Sequence, residues 1–178
     1  MNFCHITPTR YLDIFASGRK THLLLAHLVE EDKSYREWYA NEKKNNNCQI
    51  ILDNSAFEMF SRGLSMYDSS KLVNLAKEVN ADYIVMSDYP GEKSRHTINK
   101  AIETHAEIRA NRFKTFFCPQ SEPGNIDDLT NEFILRVSVK KILGKGLCRP
   151  FPVVWNNSMP LVLWTLVKNN MVYFYCIG

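Results

Sequence analysis

Residues 49–58, QIILDNSAFE, restrict the fold more than any other stretch. Ile50, Ile51 and Leu52 run straight into Asp53, Asn54 and Ser55, followed by Phe57 and Glu58. A short continuous apolar run suits a strand buried on both faces. The polar residues then fall just beyond its carboxyl end, where α/β proteins place their chemistry. The pattern returns at 83–88 (YIVMSD, then YPGE) and at 115–120 (TFFCPQ, then SEPG). Apolar strands that each end on a polar residue and lead into a helix predict a one-sided active face.

The rest of the chain fits alternating strands and helices. A first strand is predicted at 22–29 (HLLLAHLV). The segment 30–44 reads as an amphipathic helix with Tyr35, Trp38 and Tyr39 at helical spacing. Asn45 to Asn47 form a polar break, and Arg62 and Gly63 a turn. Ser65 or Asp68 would cap a helix whose apolar residues Leu72, Leu75, Ala76 and Val79 recur at i, i+3, i+4 and i+7. A long helix over 92–112 would turn Ile98, Ala101, Ile102 and His105 to one side. Asn125 would cap another, striped by Ile126, Leu129, Phe133 and Val137. Further strands are predicted at 151–155 and 171–177, with a short helix at 159–168. Such alternation calls for parallel strands joined by right-handed crossovers. No G-x-G-x-x-G follows the first strand, and Gly144-Lys145-Gly146 is only a fragment of one. The expected class is therefore α/β, of the (β/α)8 TIM-barrel type, in one domain over 1–178. A full barrel takes about 250 residues, so about six strands are expected and the barrel would be incomplete. Its open edges need covering, for example in a homo-oligomer.

Composition narrows the function classes. A formal charge of +3 does not mark a nucleic-acid binder, although a local basic patch can act as one. Arg62, Lys93, Arg95, Lys140, Lys141 and Lys145 are candidates to hold phosphates; the plainer alternative is solvated surface. The apolar run at 159–167 is far shorter than a membrane span. The first residues, MNFCHITPTR, lack the basic-then-apolar layout of a secretion signal. No membrane partner and a cytoplasmic location are expected. Cys4, Cys48, Cys118, Cys148 and Cys176 are scattered without metal-ligand spacing. Free thiols are expected, with Cys118 and Cys176 in the core, and no metal or other cofactor.

The ordered set LDNSAFE at 52–58, SDYPGE at 87–92 and CPQSE at 118–122 resembles the tRNA-guanine transglycosylase superfamily. It is most similar to the small bacterial and phage relatives that insert 7-deazaguanine bases into DNA. The opening HITPTRYLD and LLLAHLVEED are also similar to that branch, so the resemblance covers roughly residues 5–135. It implies a queuine/archaeosine tRNA-ribosyltransferase-like protein, a pentosyltransferase that exchanges a guanine or 7-deazaguanine base at a glycosidic bond of DNA or tRNA. By the resemblance, Asp53 is an acid/base or base-recognition group and Phe57 covers the flat face of the base. Asp88 hydrogen-bonds its guanine-like edge and Gln120 contacts it. Where the family often has Ser-Gly-Gly-Phe-Gln, this chain has Asn54-Ser55-Ala56-Phe57-Glu58, a loop narrowed by the loss of two glycines. Tyr175-Cys176-Ile177-Gly178 resembles the end of the strand that precedes the family's nucleophilic aspartate, which has no counterpart here. The late zinc motif has none either. The expectation is a C-terminally truncated relative, inactive alone or completed by a second chain.

Each candidate has a plainer alternative. Asp53 could cap the following loop, and Asp88 before Tyr-Pro-Gly suits a turn. Phe57 could be core, although stacking on a base is worth about 1–3 kcal/mol. By the resemblance Asn54 and Ser55 belong to the base-binding loop, and Glu58 would orient that loop or serve in acid/base work. If side chains alternate along the first strand, His22 and His27 point oppositely. His27, at the carboxyl end, is then the better site candidate; the alternative is a hydrogen-bonded core histidine. Two other functions fit the same residues: a DNA N-glycosylase that removes a modified base, or a non-catalytic nucleic-acid or partner-binding remnant.

Overall fold

The computed structural model describes residues 6–118, all within one compact unit. The elements predicted beyond residue 118 lie outside the described residues, as do Gln120, Lys140, Lys141, Lys145, Cys4, Cys148 and Cys176. So does the remainder of the proposed single domain.

Among the described residues four strands form one parallel sheet: β1 (Thr21–Leu25), β2 (Gln49–Asp53), β3 (Tyr83–Val85) and β4 (Lys114–Phe116). Their spatial order follows the chain order, β1-β2-β3-β4. The register sets Leu24 beside Leu52 and Leu25 beside Asp53; Leu52 lies in turn beside Ile84. Helices fill the connections: α1 (Ala26–Glu31) and α2 (Lys33–Asn46) after β1, α3 (Ala56–Ser61) and α4 (Ser69–Glu78) after β2, and α5 (Ser94–Ala110) after β3.

Successive parallel strands added in one direction, with right-handed crossovers, put every connecting helix on one side of the sheet. The core agrees. Leu24, Ile50, Leu52 and Ile84 share one cluster with Val29 of α1, Tyr35 and Tyr39 of α2, Leu72, Leu75 and Ala76 of α4, and Ala101 and Ile108 of α5. Because strand side chains alternate, Ile51 and Asp53 point to the other face, as do Tyr83 and Val85. The result is a mixed α/β arrangement whose strands, among the described residues, run in chain order without the reversal of a doubly wound fold.

Several boundaries depart from the sequence expectation. The first strand stops at Leu25, and Ala26–Glu31 is helical. The segment read as one helix over 30–44 is therefore two, broken at Asp32. That residue caps α2 by accepting from Tyr35 N at 3.0 Å. Of the two predicted caps for α4, Asp68 serves, accepting from Lys71 N at 2.7 Å. The predicted strand at 83–88 leaves the ladder after Val85. On α5 the buried side runs through Thr97, Ile98, Ala101, Thr104 and Ile108, while Ile102 is exposed. His22 lies on the helix side of β1, its ring 5.2 Å from that of Tyr39 and 6.4 Å from that of Trp38, so it belongs to the core. Cys48 and Cys118 are buried. No described helix is long and apolar enough to cross a membrane.

Candidate functional site

The carboxyl ends of β1, β2 and β3 bring together five of the predicted residues. Asp53 closes β2, half-buried, with Oδ2 accepting from Ser55 N at 3.0 Å in an Asx-type turn. Asn54 and Asp88 are both buried. The Asn54 amide nitrogen donates to the Met86 carbonyl at 2.7 Å and to Asp88 Oδ1. Its Oδ1 accepts from Ala56 N at 2.9 Å. The amide is thus oriented on both sides: a flip would set its oxygen against a carbonyl and a carboxylate. One side chain from the end of β2 holds both the backbone and the acid that follow β3.

Ser55 makes the matching link to β1. Its backbone is left-handed, φ 57° and ψ 31°, a conformation that costs a residue with a Cβ about 1–2 kcal/mol. Its Oγ accepts from His27 N at 3.2 Å and lies 3.0 Å from His27 Nδ1. A serine oxygen has two lone pairs and one proton, so Oγ can take the His27 amide and still pair with Nδ1 in either ring tautomer. Burial pushes the His27 pKa below its ordinary value. Arg62 adds to this, while Glu58 and Glu31 oppose it. His27 therefore favours the neutral form. It sits in the first turn of α1 and not on a strand, so the alternation expected between His22 and His27 does not apply.

Phe57 does not enter the core. It is 57% exposed on α3, and Phe60, one turn on, is 53% exposed. The Phe60 ring lies 3.5 Å from where a Cβ would sit on Gly91, whose φ of 78° suits glycine. Through that packing α3 meets the turn after β3, so the LDNSAFE and SDYPGE segments border one another. Glu58 is half-buried on the same short helix. Arg62 pairs with Glu31 at 3.5 Å, which reduces its availability for a phosphate; Lys93 and Arg95 are exposed.

Sequence reasoning missed a second group beside Asp88. Tyr89 stacks on His96 with centroids 4.4 Å apart and planes inclined by 18°. His96 Nδ1 pairs with Glu92, and Tyr89 N donates to Thr97 Oγ1 at 3.1 Å. The i, i+4 spacing of Glu92 and His96 was the available signal. These contacts fold the turn after β3 onto the start of α5. Among the described residues no group of three or more His, Cys, Asp or Glu side chains could hold a metal ion.

No family model, curated protein or solved structure matches the chain.

Proposed function

We propose that the protein is a transglycosylase-like member of the tRNA-guanine transglycosylase superfamily, its sheet part of a (β/α)8-type barrel. Its ligand is a guanine-like or 7-deazaguanine base at a glycosidic bond of DNA or tRNA. The observation that carries this reading is the hydrogen bond from Asn54 to Asp88. It joins the ends of two neighbouring parallel strands, beside the end of β2 where Asp53 turns to the helix-free face. Parallel α/β folds collect their chemistry at that end of the sheet.

In this reading Asp88 accepts hydrogen bonds from the N–H edge of the base. Asp53 serves in acid/base work at the glycosidic bond or in recognition of the base. Phe57, an exposed aromatic at the rim, gives a stacking surface worth about 1–3 kcal/mol. Gln120 would fix a further edge. A base in a duplex must first leave the stack.

The test is a base-exchange assay with labelled guanine or 7-deazaguanine on single-stranded DNA and on tRNA, run beside calorimetric binding of the free base. Incorporation of label is the expected outcome. Abasic product without incorporation would replace exchange with N-glycosylase chemistry. Binding without turnover would leave a base-binding module. No binding, with Asp88→Asn behaving as the unsubstituted protein, would overturn the proposal.

A further inference from the structure

We infer that the segment leading into β1 is a second contact for nucleic acid, a strip that takes a single strand by stacking and by pairing with its phosphates. It lies away from the candidate site, and it does not rest on the base-binding reading above.

The segment is a 3-10 turn (Thr9–Tyr11) followed by one turn of π-helix (Leu12–Ala16), and its inner side is fastened. Leu12 and Ala16 join the core cluster. Trp38 Nε1 donates to Asp13 Oδ1 at 2.6 Å, and Thr9 Oγ1 donates to Asp32 Oδ2 at 2.7 Å. The Lys20 carbonyl accepts from Gln49 N at 2.8 Å, which sets the segment at the amino end of the sheet. Its outer side alternates cations and rings. The Arg10 guanidinium carbon lies 4.6 Å from the centre of the Tyr11 ring. Tyr11 meets Phe15 edge-on with centroids 5.9 Å apart, and Arg19 Nε donates to the Phe15 carbonyl at 3.3 Å. Ile14 and Phe15 are exposed, at 69% and 55%, although the turn that carries them is packed and bonded, so their exposure is built in. Residues 6–20 hold Arg10, Arg19 and Lys20, all exposed, against one acid, Asp13. Cations set between flat rings match phosphates set between flat bases. An anionic lipid surface asks only for charge and apolar bulk, and gives the ring faces nothing to stack on. A duplex hides its base faces, so the strand is single.

The experiment follows the anisotropy of labelled oligothymidylate and oligouridylate with the whole chain at about 50 and 200 mM salt. Binding of either supports the strip, and a preference between them tells DNA from RNA. Phe15→Ala is expected to weaken binding about fivefold or more, the loss of one stacked base. Arg10→Gln combined with Arg19→Gln is expected to reduce the slope of log affinity against log salt by about 1.4, two phosphates on a single strand. Unchanged affinity in the first variant, or an unchanged slope in the second, would overturn the inference and leave the base-binding reading standing. Absence of free 7-deazaguanine binding beside the expected strip behaviour would do the opposite. Displacement of the oligonucleotide by polyglutamate at equal charge would reduce the strip to charge alone and overturn it. So would phosphatidylserine vesicles that bind through Ile14 and Phe15 while the oligonucleotides do not.

A measurement on the unsubstituted chain guards against variants that fold poorly. Oligonucleotides carrying 5-bromouracil are photocrosslinked to the protein and the attached residues are mapped by mass spectrometry. Crosslinks at Tyr11 or Phe15 are expected. Crosslinks confined to other residues would overturn the inference.

Discussion

Ser55 shows how a single residue can carry a backbone cost and offset it. Its left-handed φ of 57° strains any residue with a Cβ, and its hydroxyl recovers stability by bonding to His27. Replacement by alanine keeps the strain and loses the bonds, so Ser55→Ala is expected to destabilise by about 1–3 kcal/mol. Glycine also loses the bonds but relieves the strain. Ser55→Gly should therefore be the more stable of the two by about 1 kcal/mol, as read from urea unfolding. Equal stabilities would mean that the turn carries no strain. His27 adds a pH dependence. Its pKa is lowered in the folded chain, chiefly by burial, so below the ordinary histidine pKa of about 6.5 the unfolded chain binds more protons. Its contribution is intact above that value, falls as pH drops from there to the lowered folded pKa, and then levels off. Urea midpoints at pH 7.5 and 5.5 should show that loss, and His27→Asn, which keeps an acceptor but does not titrate, should show less of it. His105, also lowered by burial, supplies part of what remains. From sequence, Asp53, Asn54, Ser55 and Asp88 could be placed at strand ends. Their pairings could not, because Asn54 and Asp88 are 34 residues apart and His27 and Ser55 are 28 apart, and local spacing is silent at that range.

At the scale of elements, two aspartates decide where helices begin. Asp68 caps α4, and its loss in Asp68→Ala should cost about 1 kcal/mol. Asp32 does more, capping α2 through Oδ1 and accepting from Thr9 Oγ1 through Oδ2 at 2.7 Å. Asp32→Ala should cost about 2 kcal/mol, and a urea series that ranks Asp68→Ala as the more damaging would contradict this. Both carboxyls are held below their ordinary range. For Asp32 the first cause is the Thr9 hydroxyl, for Asp68 the Lys71 amide. Their contribution is present above the ordinary carboxyl pKa and is lost as pH falls through the lowered folded value. The Asp68 cap was legible because a polar residue precedes a clean 3.6-residue stripe. The end of β1 was not. Leu23 to Val29 is apolar apart from His27, and such a run has no period that separates a buried strand from a buried helix. The chain turns helical at Ala26, and Asp32 then serves as a cap inside what reads as continuous helix. β3 was overread for the same reason: Met86 N still donates to the Phe116 carbonyl at 2.8 Å, but Ser87 and Asp88 are buried beyond the ladder.

Across the whole described unit, the two ends of the sheet do different work. At the carboxyl ends of the strands, buried polar side chains hold one another in a constellation suited to a ligand. At the amino ends, Lys43 from the last turn of α2 reaches both Asp82 oxygens, at 2.9 and 2.7 Å, and the Cys48 carbonyl at 2.6 Å. Asp82 Oδ2 also accepts from Ile50 N at 2.8 Å. This lock ties α2, the start of β2 and the approach to β3 together, at the end of the sheet opposite the candidate site. Sequence alternation made the parallel sheet legible, but not this lock, whose members lie 39 residues apart. Substitutions at the two ends should then separate two properties. Lys43→Met leaves the partly buried Asp82 carboxylate without its cation and should cost about 1–3 kcal/mol, with affinity for 7-deazaguanine within about twofold of the unsubstituted protein. Asp88→Asn should do the reverse, lowering that affinity at least tenfold, about 1.4 kcal/mol, with a smaller change in the urea midpoint. Folded Lys43→Met protein that no longer binds the base would show that the two ends are not independent, and the division of labour along the strands would have to be abandoned.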